Sequence, residues 1–222
     1  MTTAPSGLRE RKKHATRQAL RDAALRLALE RGPANVRVSD IAEAAGVAPR
    51  TYNNYFSSRE EAIVAAVTAD REVHVAAAVA GRPAHVRLSD AVVGGIVEQY
   101  ADPGSTDLNL WRLIAAHPSL IEAALASVDS MEDPLTEVIA ERLGGREHQV
   151  ARVLSASAAA AVRIGLQQWL QAAPPSASRS GLVVVSGSLP DLLRAALAPL
   201  VPAFDAAEGQ LRRRSDDTAA DS

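Results

Sequence analysis

The apolar positions Leu20, Ala23, Ala24, Leu27 and Ala28 recur at helical spacing and predict a first helix between Leu8 and Arg31, stopped by Gly32 and Pro33. A short helix carrying Ile41, Ala42 and Ala45 follows. Then come a tight turn at Gly46 and a second short helix, opened by Pro49, a favoured first-turn residue, and closed by Phe56. Ser58 with Glu61 makes a capping-box pattern, and Ile63, Ala66, Val67 and Val73 predict a fourth helix reaching about Val79.

Further helices follow the break at Gly81 to Pro83. One is capped by Ser89 and runs to about Tyr100, although Gly94 and Gly95 each cost it roughly 1 kcal/mol relative to alanine. Another runs from Asp107 to about His117. Pro118 starts the next, and Pro134 must break or kink a run that Gly144 and Gly145 end. From about Glu147 to Ala172 the pattern predicts a long helix, apolar or small nearly all round from Val153 to Leu166. Such a helix needs cover on two sides, and a second subunit can supply one of them, with Ala161 in or beside the seam. Pro174 to Gly181 reads as a polar loop, Val183 to Val185 as loop or helix approach, and Leu189 to about Phe204 as a last helix. The opening residues 1–7 are expected to be a flexible arm, and 209–222 a disordered tail. The class is all-α.

Composition supports that class. Alanine makes up 45 of the 222 residues, and the seven aromatic residues leave a core of aliphatic and small side chains. With no cysteine, disulfides, thiolate metal sites and cysteine nucleophiles are excluded. No signal-peptide pattern or long apolar run is visible, so a soluble cytoplasmic protein is expected. Net charge is −2, but residues 1–59 hold 11 Lys+Arg against 5 Asp+Glu, a balance of +6, and the remainder carries −8. A basic head on an acidic body suits a polyanion partner, because phosphate neutralisation supplies most sequence-independent affinity for DNA.

Geometry sharpens that partner to duplex DNA. Two short helices joined at Gly46 have the size and turn of a helix-turn-helix. Tyr52 and Phe56 stand four apart and face inward, whereas Arg50, Asn53 and Asn54 stand at i, i+3 and i+4 on the other face, flanked by Thr51 and Tyr55. Arginine can donate twice to guanine and asparagine can pair twice with adenine in the major groove. An ordinary exposed polar face is the simpler alternative. The arm residues Arg9, Arg11, Lys12 and Lys13 can enter the minor groove or merely solubilise the terminus.

The stretches Ile41-Ala-Glu-Ala-Ala-Gly-Val47, Thr51-Tyr-Asn-Asn-Tyr-Phe56 and Ser58-Arg-Glu-Glu61, with Arg17 and Ala23-Ala24-Leu25 before them, resemble the DNA-binding domain of the tetracycline-repressor (TetR) family. The resemblance covers roughly residues 15–65. It implies a three-helix helix-turn-helix head over 1–58 with its basic arm, and a helical effector-binding and dimerisation domain over 59–208 built around a ligand cavity. It also implies a homodimer formed by the last two major helices. Arg37 replaces the threonine that usually caps the second helix and touches phosphate, so capping is expected to pass to Ser39 while Arg37 meets phosphate by charge. Ala48 stands where a serine cap is frequent and Asn53 where tyrosine is usual. Arg59 stands where lysine normally meets phosphate, a swap that keeps the charge.

In the body, Trp111-Arg-Leu-Ile-Ala-Ala-His-Pro-Ser-Leu120 and Ala140-Glu-Arg-Leu-Gly144 resemble a subgroup of that family, some of whose members respond to acyl-coenzyme A. Tyr100, Trp111, Met131 and Trp169 are candidate walls of an apolar effector pocket, or simply core. The expected function is a ligand-responsive regulator released from its operator by a small apolar effector, with effector-independent DNA binding as the alternative. An enzyme is disfavoured, since the five histidines lack ligand spacing and neither a phosphate loop nor a nucleophile elbow occurs. No cofactor, metal or membrane partner is expected.

Overall fold

Leu20 opens a stripe with Ala23, Ala24, Leu27 and Ala28 that is buried along α1 (Pro5–Arg31), in a computed structural model that describes residues 5–68, 71–101, 104–172 and 188–220. The helix ends where Gly32 takes a φ of 78°, a left-handed conformation that glycine adopts without a Cβ clash. It includes Arg9, Arg11, Lys12 and Lys13 and reaches back to Pro5, into the stretch expected to be a flexible arm. After a 3-10 turn at Pro33–Asn35 come α2 (Val38–Ala44), α3 (Pro49–Tyr52) and α4 (Arg59–Thr68). Ile41 and Ala42, Tyr52 and Phe56, and Ala62, Ile63 and Val64 fill the core against α1. Gly46 has open space around its missing Cβ, so its φ of 69° is what requires glycine there.

Two compact units divide the chain. The first comprises this head with α4, joined by His117–Ala124; the second holds the rest. The boundary expected after residue 58 therefore falls inside the head: α4 packs on α1. The predicted fourth helix is described as α4 up to Thr68, whose Oγ1 donates to the Val64 carbonyl at 3.2 Å, and as helix again from Arg71; residues 69–70 lie outside the described chain.

The second unit opens with α5 (Arg71–Ala80) and α6 (Leu88–Ala101), whose close approach needs Gly95: a Cβ there would lie 2.8 Å from Val79 Cγ2. Arg142 donates to the carbonyls of Arg82 (3.1 Å) and Val86 (2.7 Å) and holds the link between them. Next in this unit come α7 (Gly104–Ala115), a 3-10 turn over Ser127–Met131, and α9 (Glu132–Arg142); α8 (Pro118–Ala126), between α7 and the turn, belongs to the first unit up to Ala124. Pro134 sits in the first turn of α9, where its absent N–H has no partner to lose, and the break falls before it. Gly144 and Gly145, with φ of 79° and 76°, end α9. The long helix α10 (His148–Ala172) matches its predicted span.

The expected Pro174 to Gly181 loop and the Val183 to Val185 stretch lie outside the described residues. The last predicted helix is divided: α11 (Leu189–Leu197), a 3-10 turn over Ala198–Leu200, and α12 (Val201–Ala220). Pro199 cannot donate to the ladder, which divides it. Helix α12 continues through the expected irregular tail to Ala220. Its carboxylates reach the start of α6: Ser89 Oγ donates to Asp205 at 2.6 Å and the Leu88 N–H to Glu208 at 3.2 Å, satisfying groups the α6 ladder leaves open.

Candidate nucleic-acid interface

Burial of one side of α3 fixes what the other side offers. Tyr52 is fully buried, its ring 5.8 Å from that of Phe56, and its hydroxyl donates to the Ser58 carbonyl at 2.7 Å. Burial, then the charges of Glu61 and Glu60, push that phenol well above its ordinary value, so it stays a neutral donor. With Tyr52 anchored inward, Arg50, Asn53 and Asn54 are exposed, and Thr51 and Tyr55 are half-buried beside them. The second helix is shorter than expected. It makes one α-turn to Tyr52, then passes into a turn over Asn53 to Tyr55, because two consecutive asparagines are poor helix formers. The backbone nevertheless stays near-helical: Asn53 has φ −64° and ψ −11°, and the Phe56 N–H donates to the Tyr52 carbonyl at 3.1 Å. The grouping of Arg50, Asn53 and Asn54 therefore survives.

The flanking candidates fare differently. Arg17 is exposed, with its guanidinium 5.0 Å from the centroid of the Phe56 ring, a cation–π seat that holds it beside the turn. Arg37 is exposed at the N-cap of α2, yet capping does not pass to Ser39. Asp40 reaches back and accepts the Arg37 N–H at 3.1 Å, while the Ser39 hydroxyl turns to Asp40 at 3.5 Å. An acid at N3 supplies half a capping box whatever residue stands at the cap, a signal legible as Arg37-x-x-Asp40. Glu61 behaves similarly: its N–H donates to Ser58 Oγ at 3.1 Å, and its carboxylate accepts from the Ser57 N–H at 2.7 Å. Arg59 turns inward. Its Nη1 donates to the carbonyls of Ala34 (3.1 Å) and Val36 (2.9 Å), and its Nε to Glu60 at 2.8 Å.

Residues 20–66 match the family of bacterial regulatory proteins known as the tetR family. Over those residues the head is similar to that family. The matched stretch runs from Leu20 in α1 through α2 and α3 to Ala66 in α4, and Arg17 and the basic residues before it lie outside. The HTH-type transcriptional regulator TcmR of Streptomyces glaucescens is 33% identical over 147 residues, 62% of this chain. The aligned stretch spans 65%, just under two thirds, of that relative's length.

In the second unit, three of the four expected pocket residues come together. Trp111 meets Trp169 edge to face at 5.5 Å, and Arg71 lies 4.4 Å over the Tyr100 ring and 5.8 Å from that of Trp111. Tyr100 and Trp111 are buried and Trp169 is half-buried. Burial raises the Tyr100 pKa, with the Arg71 charge pulling the other way. Met131 is buried on the 3-10 segment against which α10 packs. A lone basic residue opening a helix carries no signal, so the sequence does not single out Arg71. A separate half-open cleft of about 360 Å³ is lined by Ala80, Arg82, Leu88, Glu141, Arg142 and Glu208 among others. Three of its polar groups are engaged: Arg82 pairs with Glu98, Arg142 holds carbonyls, and Glu208 caps α6. Among the described residues, no helix is long and apolar enough to cross a membrane.

Proposed function

We propose that this chain is a DNA-binding transcriptional regulator that reads its operator through Arg50, Asn53 and Asn54. One observation carries the reading: with Tyr52 and Phe56 locked into the core, the side chains left outside on α3 and its following turn are those whose forked donors and acceptors fit base edges. The match of residues 20–66 to the tetR family supports it.

Dimerisation belongs to the same reading, since a two-fold protein contacts two half-sites about 34 Å apart. On α10, Val153 (61% exposed) and Ile164 (52% exposed) stand on one face with half-buried Ala160 between them, an apolar stripe the protomer leaves uncovered. Ala161, first placed in or beside the seam, instead faces the protomer's own core at 7% exposure. The aromatic cluster of Tyr100, Trp111 and Trp169 with Arg71 supports a small effector with apolar surface, acyl-coenzyme A-like compounds being one class, whose binding favours a dimer that no longer fits the operator.

Selection from a random duplex library with the full-length chain tests the proposal. Enrichment of one sequence with two half-sites is expected. A library that stays unenriched while the chain is folded refutes it.

A further inference from the structure

The stripe that buries α1 in the head continues beyond the head with its chemistry changed. Reading backward from Leu27 through Ala24 and Leu20 at spacings of three and four, the next positions are Thr16, Lys13 and Arg9. Lys12 lies on the edge continued by Ala23, and Arg17 on the edge continued by Ala28, with Glu10 one heptad before Arg17. From Arg9 onward Leu20 is the first buried residue, so the helix overhangs the core by roughly 16 Å at 1.5 Å per residue. Arg9, Lys12, Lys13 and Arg17 are all exposed. At its inner end the stripe is fixed, because Arg17 sits on Phe56, three residues beyond the base-reading Asn53.

We propose that Arg9, Lys12 and Lys13, continuing from Arg17, form a rigid helical grip on the phosphate backbone of the duplex flanking the operator; this rests on the DNA-binding reading above. The residue types favour phosphates. Lys12 and Lys13, the only lysines of the chain, are point charges without the fork that reads bases, and the overhang carries no large apolar side chain on this stripe to enter a lipid surface. Helical form excludes the minor-groove role open to a flexible arm: a helix about 10–12 Å across does not enter a groove about 6 Å wide. The backbone is what a charged helix lying beside the duplex meets.

The test compares wild type with R9Q/K12Q/K13Q, glutamine keeping the helix propensity. Each is titrated at several salt concentrations against the selected site with about one helical turn of flanking duplex, about ten base pairs, on each side, and against the trimmed site. On the long duplex the variant's log–log salt slope should be shallower by about 2.7 per bound head, from three phosphate contacts at about 0.9 each. Trimming should flatten the wild-type slope and leave the variant unchanged. Equal slopes on the long duplex overturn the grip, and if sequence preference at Asn53 persists there, the regulator reading stands without it. A wild-type affinity that changes when flanking A·T pairs become G·C also overturns it, in favour of minor-groove reading. Absence of any selected site sinks both readings together.

Discussion

Arg59→Ala separates two jobs that its position in the chain does not distinguish. In the folded head its Nη1 bonds the carbonyls of Ala34 and Val36 and its Nε the Glu60 carboxylate, tying the start of α4 to the link between α1 and α2. A hydrogen bond from a charged donor contributes roughly 1.5–3 kcal/mol when its partner is otherwise stranded. The side chain is 34% exposed and Ala34 lies at the surface, so water replaces part of the loss and the Glu60 pair adds little. The expected cost is about 2 kcal/mol, or a fall in Tm of about 4–8 °C for a chain of this size. Arg59→Lys should recover only part, since one ammonium does not reproduce the guanidinium geometry. Thermal melts without DNA, paired with salt-dependent binding isotherms, decide the matter. An unchanged Tm with a salt slope reduced by about 1 per head would refute this reasoning and restore Arg59 to phosphate.

On α10, Ile164→Glu should give monomers in sedimentation with little loss of fold, whereas Ala161→Glu should unfold the protomer, because it buries an unpaired charge; dimers surviving Ile164→Glu would exclude this face. Gly95→Ala should cost about 1 kcal/mol of stability in thermal melts, as overpacking against Val79 outweighs the gain in helix propensity, and Gly94→Ala, which meets only the end of Arg82, should raise Tm. The Tyr52 phenol has a folded pKa raised above its ordinary value of 10.0, so its contribution is whole below pH 10 and is lost as pH rises above that value. Tyr52→Phe should cost about 1 kcal/mol at neutral pH and remove this residue's share of the alkaline loss, which denaturant titrations from about pH 7 to 11 would show.

The head was legible because its signals are local and agree: the α1 stripe, glycine at the turn, proline opening α3, and Tyr52 paired with Phe56. Breaks in the body were harder to see. Helix α12 extends to Ala220 through residues whose charge suggested a tail, and Asp205 and Glu208 tie it to the start of α6, more than a hundred residues earlier in the chain. Because α10 is apolar or small nearly all round, sequence spacing could not tell the inward Ala161 from the outward Ile164. Arg59 shows the same limit at the site. Family position suggested phosphate, but its carbonyl partners lie 23 and 25 residues away and become neighbours only in the fold.

The most direct test of the account is the specificity of Asn53→Ala, measured as binding isotherms on the selected operator and on a scrambled duplex of the same length across several salt concentrations. If Asn53 reads a base edge, the operator should lose roughly 1–3 kcal/mol of affinity while the scrambled duplex and the salt slope stay unchanged. Equal weakening on both duplexes would contradict the base-reading face and make Asn53 a phosphate contact.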